Sequence, residues 1–386
     1  MKMKILLDPQ IFNQQTYGGI SRYYTEVFTV LEKNKDVEIL LPIYSTDNYY
    51  LKTTDLLAKN KWLKFLYGFL AFMKISSKTL KRKNSNKLFR KISEENNYDI
   101  FVPTYYDPYF LNQINGKPFV LTVYDMIHEL FPQYFENDPF NVKENKAKLI
   151  NNATKIIAVS HNTKKDILYF FPDIDPDKIV VIHHGSSIKI EKKVQITLPA
   201  NYILFVGSRA DYKNFTLLVN SAESILKENP SLILLVAGGG EFSAEEIIFF
   251  DTLGLRKQIV QIDFKETELG LIYKNAKCFI FPSLYEGFGI PVLESMACGC
   301  PIILSRSGPF PEIAGEAGIY FDNNSQGDLT EKIKMVLADS QLRKQHSEKG
   351  LEQVKKFDWN DAAQQCLEVY KDAIKINQDS KPQKSE

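Results

Sequence analysis

Short apolar runs recur along the chain, and most of the intervals between them carry helical patterns. The runs lie at Ile5–Leu7, Val37–Tyr44, Asp99–Thr104, Pro118–Tyr124, Lys155–Ser160 and Lys178–His183. They resume at Tyr202–Gly207, Leu232–Ala237, Ile259–Ile262, Cys278–Pro282 and Pro301–Ser305, with a last turn and strand over Glu312–Phe321. Strands that alternate with helices predict an α/β chain of doubly wound parallel sheets, whose ligands sit at the C-terminal strand ends. A chain of 386 residues has room for two such domains, each with its own core. The charged, aromatic-poor stretch Gly185–Pro199 marks the boundary, giving one domain over 1–190 and a second over 191–359.

Composition narrows the function. The net charge of +1 provides no global field for nucleic acid. The four cysteines, Cys278, Cys298, Cys300 and Cys366, are scattered, and Cys298-Gly-Cys300 has no further ligands at metal spacing. They read as reduced thiols with no metal or redox role. Asp173-Ile-Asp175 contains the D-x-D pattern of some metal-nucleotide sites, but it lies between two prolines and reads as a turn. The apolar part of the N-terminus is too short for a signal peptide, and no run reaches membrane-spanning length, so a cytoplasmic protein is expected. The tail from Asn377 has a disordered composition.

The densest chemistry follows the Cys278–Pro282 run, in Glu286-Gly-Phe288-Gly289-Ile290-Pro-Val292-Leu293-Glu294. Pro291 suits the first turn of a helix, which would leave the amides of Val292 and Leu293 free to meet a diphosphate. Glu286 precedes that helix and Glu294 lies within it; a carboxylate beside a phosphate site is better placed to grip sugar hydroxyls. After the Tyr202–Gly207 run come Arg209 and Lys213, two cations able to neutralise a diphosphate leaving group. In the first domain the strand ends carry Tyr105, Tyr106 and Asp107, then Tyr124, Asp125 and His128, with His161, His183 and His184 after later strands. His128 is favoured among the histidines because it shares a strand end with Asp125. Gly18-Gly19 permits close approach of backbone to a ligand, and Ser21 or Gly19 can cap the helix that follows.

One segment breaks the alternation. From Lys59 to Lys91 there are eleven Lys or Arg and no Asp or Glu. Trp62, Phe65, Leu66, Phe69, Leu70 and Met73 recur there at helical spacing, opposite Lys61, Lys64, Lys74 and Lys78. A basic amphipathic helix with aromatic residues on one face suits an anionic membrane surface. It equally suits a helix packed on its own domain with a solvated basic side.

Taken together, the motifs resemble the retaining glycosyltransferases of family 4. The specific part is Gly207-Ser-Arg209 with Lys213-Asn214, Ala237-Gly-Gly-Gly240, Phe281-Pro-Ser283, Glu286 to Glu294 and Ala297-Cys-Gly-Cys-Pro301. Gly18-Gly19-Ile-Ser-Arg22, Val123-Tyr-Asp125, Val159-Ser160 and His184-Gly185 match more loosely. The resemblance implies a GT-B fold: two Rossmann-like doubly wound parallel-sheet domains facing a cleft. A C-terminal helix over about 360–380 would pack back on the first domain after Phe357-Asp-Trp359. It implies a nucleotide-diphosphate sugar as donor, GDP- or UDP-linked, with no other cofactor and no metal. Glu286 would hold the donor sugar, Glu294 the ribose, and Arg209 and Lys213 the diphosphate, with Gly18, Gly19, Phe288, Gly289, Ile290, Val292 and Leu293 around them. Tyr105, Asp107, Tyr124, Asp125 and His128 would face the acceptor. Tyr124 occupies the place of a family histidine, and His128 is the candidate to supply its role.

Val102-Pro-Thr-Tyr-Tyr-Asp-Pro108 resembles enzymes that build bacterial surface polysaccharides, often with mannose, on saccharide or lipid-linked acceptors. A nucleotide-sugar epimerase or sugar phosphorylase could use the same twin sheets. An NAD-dependent oxidoreductase lacks its G-x-G-x-x-G here, and a non-catalytic sugar-binding protein would not need both cations and both glutamates.

Overall fold

The computed structural model describes residues 2–43, 45–60, 78–191, 193–209 and 211–380. They divide into two compact units, Met1–His184 with Trp359–Glu386, and Gly185–Asp358. The second unit therefore begins at Gly185, ahead of residue 191, and takes in the charged stretch read as the boundary.

In the first unit, β1 (Met3–Leu7), β2 (Val37–Leu40) and β3 (Ile100–Val102) pair in the order β2-β1-β3. β4 (Val120–Val123), β5 (Lys155–Ala158) and β6 (Ile179–Val181) pair in the order β4-β5-β6. Every pairing is parallel, and a bridge between Phe101 and Phe119 joins the two sets. Ile5, Leu6 and Leu7 are all buried, as are all four residues of β4. A strand covered on both faces has no solvent side, which is why these runs show no polar alternation.

The helix Gly19–Leu31 buries Tyr23, Tyr24, Val27, Phe28 and Leu31. Its N-cap is Gly18; Ser21 lies inside the first turn, where its hydroxyl donates to the Gly18 carbonyl at 3.0 Å. The cap expected at Ser21 or Gly19 thus moves one or more residues upstream. The last helix, Trp359–Asp379, packs against this one: Tyr23 Oη meets Cys366 Sγ at 3.4 Å, and the rings of Phe28 and Tyr370 lie 6.3 Å apart. His184 stacks between Tyr23 and Trp359, with centroids at 4.8 and 5.7 Å, and burial pulls its imidazole down to about 3. It is a neutral core residue. The helix carries Asn377 to Asp379, where a disordered tail was expected, because Val369, Tyr370 and Ala373 give it an apolar stripe to bury. Of the basic stretch, the backbone helix Lys78–Glu95 is described, whereas Lys61, Trp62, Lys64, Phe65, Phe69, Met73 and Lys74 fall outside the described residues.

The second unit holds one sheet of six parallel strands: β7 (Tyr202–Val206), β8 (Ile233–Ala237), β9 (Ile259–Ile262), β10 (Phe279–Phe281), β11 (Ile302–Ser305) and β12 (Gly318–Phe321). Their order is β12-β11-β10-β7-β8-β9. The chain builds outward from β7 to β9, returns, and builds the other way from β10. One face is sealed by Phe205, Phe215, Leu218, Ala222, Ile225 and Val236. Ligand crevices in such sheets open where the order reverses, beyond the carboxyl ends of the strands, here β7 and β10.

Asp8 locks the corresponding reversal in the first unit, between β1 and β3. It is fully buried just after β1, and its carboxylate accepts from Thr104 N at 3.1 Å, Gln10 N at 3.1 Å and Tyr109 Oη at 2.5 Å. Burial outweighs these bonds and lifts its pKa to about 6. A raised acid binds a proton more tightly folded than unfolded, so it stabilises the fold below about pH 4 and that contribution is lost as pH rises through 6. Asp8→Asn keeps the neutral form at all pH. Its unfolding free energy relative to wild type should therefore rise by about 2 kcal/mol between pH 4 and pH 7, measured by denaturant titration. A flat difference across that range would contradict the assignment.

Candidate active site

The loop after β7 and the loop after β10 meet at the reversal. The β7 loop turns through Asp211–Lys213 and enters the helix Phe215–Glu228 at Asn214, which is left-handed with φ 55°. Leu284 N donates to Tyr212 O at 2.8 Å, tying the two loops by their backbones. Ser305 Oγ donates to Ser283 O at 2.7 Å and Ser307 Oγ to Leu284 O at 3.1 Å, fixing the second loop from below. Between the loops, Lys213 Nζ forms an ion pair with Glu286 Oε1, with both side chains about five-sixths covered, at 16% and 15% exposure. The ammonium also lies 5.3 Å from the Phe281 ring and 5.1 Å from that of Tyr212. The two residues expected at the diphosphate and the donor sugar are therefore direct neighbours.

Arg209 is held differently. Its Nε and Nη2 grip Glu246 in a fork at 2.5 and 3.2 Å, while Nη1 and Nη2 donate to the carbonyls of Gly238, Gly240 and Glu241. The guanidinium lies 4.9 Å from the Phe242 ring. Gly238, Gly239 and Gly240 all have φ near +80°, a region that glycine occupies without strain. That curl turns the carbonyls of Gly238 and Gly240 onto Arg209. A Cβ on Gly239 would lie 2.7 Å from the Gly207 carbonyl, so the two loops touch through bare backbone. Glu246, in the first turn of the helix Ala244–Thr252, is a functional neighbour missed in the sequence. Its signal was legible in Ser243-x-x-Glu246, a capping box that anchors the helix start beside the glycines.

The helix after Glu286 runs Ile290–Ala297, with Gly289 as its N-cap at φ 98° and Pro291 in its first turn. Val292 N donates to Gly289 O at 2.9 Å, so this amide, expected to be free for a phosphate, is already committed. The side chains of Val292, Leu293 and Phe288 are buried in the core, and Ile290 is half-buried. Glu294 is 5% exposed and accepts from Tyr273 Oη at 3.2 Å, a partner on the helix Glu266–Asn275.

In the first unit, Asp125 and His128 do lie together. His128 sits on the short helix Ile127–Leu130, its ring stacked 4.0 Å from that of Phe135. Beneath them is Lys146, fully buried, donating to Glu129 Oε2 at 2.8 Å and to the Asp125 carbonyl at 2.9 Å, with Asp125 Oδ1 at 3.8 Å. Burial, and next Lys146, hold His128 below the usual imidazole range against the opposing pull of Asp125, Glu129 and Asp138. A neutral ring at neutral pH can accept a hydrogen bond or a proton. Lys146 was not singled out in the sequence, although its spacing from Val142, Leu149 and Ile150 puts it on the buried face of Val142–Asn152.

Tyr124, expected on the acceptor side, is 7% exposed and packs in a ring cluster with Tyr23, Tyr24 and Tyr106, because a bulky aromatic at that strand end is worth more buried than wet. Tyr105 and Asp107 remain half-buried, and Gly18 and Gly19 stand at the start of their helix. Asp175, the last acid of the D-x-D, accepts from Asp177 N at 2.9 Å and caps a turn.

Two family models cover most of the chain. The one described as Glycosyl transferases group 1 matches residues 186–353, and the one described as Glycosyltransferase Family 4 matches residues 17–188. The chain belongs to glycosyltransferase family 4. It is a hexosyltransferase-type enzyme with the GT-B fold of two Rossmann-like domains. O-antigen chain mannosyltransferase B of Escherichia coli is 26% identical over 283 residues, 70% of this chain and 73% of that protein. Two further curated relatives are matched over only 59% and 58% of their lengths, less than two thirds. Sucrose-phosphate synthase from Thermosynechococcus elongatus aligns with a TM-score of 0.73 at 18% identity, over 97% of this chain and 100% of that one. Alr3699/HepE from Anabaena, solved with UDP and glucose, aligns with a TM-score of 0.68 at 15% identity, over 96% and 100%. At such identities these two likenesses speak to the fold.

The buried triad of this family 4 chain makes a direct prediction. Lys146→Ala would leave Glu129 buried and uncompensated, at a cost of about 3–5 kcal/mol in unfolding free energy. Replacing Lys146 and Glu129 together by Met should recover most of that loss. Equal destabilisation in the single and double variants would show that the pair does not act as one.

Proposed function

We propose that the enzyme transfers a hexose, mannose or a close relative, from a nucleotide-diphosphate sugar to a saccharide or lipid-linked saccharide acceptor, with retention of anomeric configuration, in the synthesis of a surface polysaccharide. The observation that carries this reading is the Lys213–Glu286 pair between the loops after β7 and β10. A cation there meets the diphosphate, and the carboxylate beside it accepts hydrogen bonds from the sugar hydroxyls. The mannosyl preference rests on the likeness to the O-antigen chain mannosyltransferase and on the Val102–Pro108 motif. Bound UDP in the HepE structure supports a nucleoside diphosphate as the donor's leaving group.

Charge that develops on the departing diphosphate is balanced by Lys213 and by Arg209, whose guanidinium is held in place by Glu246 and the glycine loop. Glu294, buried against Tyr273, takes the ribose. No carboxylate is assigned as a covalent nucleophile; the donor phosphate itself takes the acceptor proton in a front-face transfer. His128, kept neutral, serves the acceptor side. A metal is not required, since the leaving-group charge is met by side-chain cations and Asp175 is spent on its turn. An epimerase or phosphorylase reading has no feature of its own in its favour.

The basic stretch Lys59–Lys91 is assigned to an anionic membrane surface, which would bring a lipid-linked acceptor to the first unit. Among the described residues no helix is long and apolar enough to cross a membrane. Pelleting with phosphatidylglycerol vesicles but not neutral ones at low salt is the expected result, and indifference to both would reject it.

Three measurements test the transfer itself. Arg209→Ala or Lys213→Ala should lower turnover about 10²-fold or more, and near wild-type rates in both would remove their role. Glu286→Ala should cripple transfer yet bind free nucleoside diphosphate normally, whereas Glu294→Ala should weaken that nucleotide; the reverse pattern would exchange the two roles. Activity should persist in EDTA, and loss restored by Mg²⁺ or Mn²⁺ would overturn the metal-free mechanism.

A further inference from the structure

The first unit contains a cavity of about 150 Å³ to which neither the fold nor the donor site assigns a ligand. It opens beside the reversal between β1 and β3. The short helix Gln10–Gln14 supplies Gln10, Asn13 and Gln14 to its wall, and the loop after β3 supplies Asp107 and Tyr109. The helix Lys78–Glu95 lays Arg82, Asn86 and Arg90 across it one turn apart, on one side of the helix. Two guanidiniums and several side-chain amides share the wall with the rings of Phe89 and Tyr109, so polar and apolar surface meet in it about equally, as a sugar ring with a charged substituent requires. Those groups are donors in forked geometry, matched to carboxylate or phosphate oxygens.

The arginines carry no assigned task in the fold. Both are exposed, and no described carboxylate pairs with either one, although Asp107 lines the same cavity. Asp107 instead accepts from Tyr109 N at 3.1 Å, and Gln10 Oε1 accepts from Asp107 N at 3.3 Å. The cavity floor is thus fixed by its own hydrogen bonds, while the two cations overhead remain open to a ligand. Lys83 and Lys87 on the same helix add to the positive field around the opening, while further along it Lys91 pairs with Glu95 at 3.9 Å and Glu94 stands beside them.

We propose that this cavity binds the anionic substituent of the acceptor, a carboxylate or phosphate carried on a sugar ring, with Arg82 and Arg90 gripping the oxygens and the amides of Asn13, Gln14 and Asn86 receiving neighbouring hydroxyls. It rests on the saccharide-acceptor reading above and narrows it: the acceptor is charged at the sugar that enters this cavity. Asp107 then rejects a second anion from the floor and accepts a hydroxyl, so a monoanionic or singly substituted ring fits better than a polyanion.

The test is binding to the full chain, by titration calorimetry, of mannose, methyl glucuronide and mannose 6-phosphate, repeated for Arg82→Gln, Arg90→Gln and the double variant. At least one of the two anionic sugars should bind tenfold or more tighter than mannose. Each single variant should lose about tenfold of that preference and the double variant nearly all of it, on the scale of a charge-assisted hydrogen bond. Which anion prevails identifies the carboxylate or the phosphate as the source. GDP and UDP are titrated in parallel, because their site belongs to the other unit. Unchanged nucleotide affinity with the anion preference abolished supports the assignment. Equal affinity for charged and neutral sugars in the wild type, or a preference that survives in the double variant, overturns it. Failure of the wild type to bind either nucleotide while keeping the anion preference would instead reject the donor reading and leave the cavity standing.

Discussion

Between β7 and β10 the chain reverses the direction in which it builds its sheet, and the chemistry of the second unit follows from that reversal. Two adjacent parallel strands end side by side, yet their following segments diverge to opposite flanks of the sheet. The gap they leave cannot be closed by a hairpin, so it is filled by two loops that must satisfy each other's backbones. Leu284 N on Tyr212 O does so directly. Gly239 lets the β7 and β8 loops touch where its Cβ would collide with the Gly207 carbonyl. With the loops joined, Lys213 and Glu286 meet in an ion pair between them.

A recurring feature is that each important cation already has a carboxylate. Lys213 has Glu286, Arg209 has Glu246, and Lys146 has Glu129. Partly buried cations would otherwise carry a desolvation penalty in the empty enzyme, and the acids offset it. The acids also fix where the cations stand, so little reorganisation is needed when a diphosphate arrives. Arg209 shows the limit of this device. With a forked acid on one edge and three carbonyls on the others, it shapes the glycine loop as much as it meets a ligand. Arg82 and Arg90 have no carboxylate partner among the described residues, and that difference is what marks their cavity as a place for an outside anion.

Much of this was legible in the sequence. The apolar runs predicted the strands, because a doubly covered strand must be apolar throughout, and the element limits were wrong at ends such as Thr104, where the loop begins. Arg209, Lys213, Glu286 and Glu294 were singled out in the sequence as charges in the loops after two strands and in the helix that follows the second. What the sequence hid were partners. Nothing local says that Glu246 will turn back onto Arg209 across a glycine curl, or that Val292 N will be taken by Gly289 O. The surroundings of Tyr124 were hidden for a related reason. A tyrosine at a strand end can face a ligand or the core, and only the neighbours Tyr23, Tyr24 and Tyr106, distant in sequence, decide for the core. Lys146 was invisible because a lysine on a helix is ordinarily solvated; its burial depends on Glu129 and the Asp125 carbonyl meeting it from another element.

The central claim is that a nucleoside diphosphate is held by the loops at the β7–β10 reversal. Hydrogen–deuterium exchange of the full chain, with and without saturating GDP or UDP, tests it most directly. The account predicts that binding slows exchange at residues 207–214, 238–242 and 284–294, leaving the strands beneath them unchanged. Nucleotide binding that leaves those three loops untouched, and protects amides elsewhere, would contradict it.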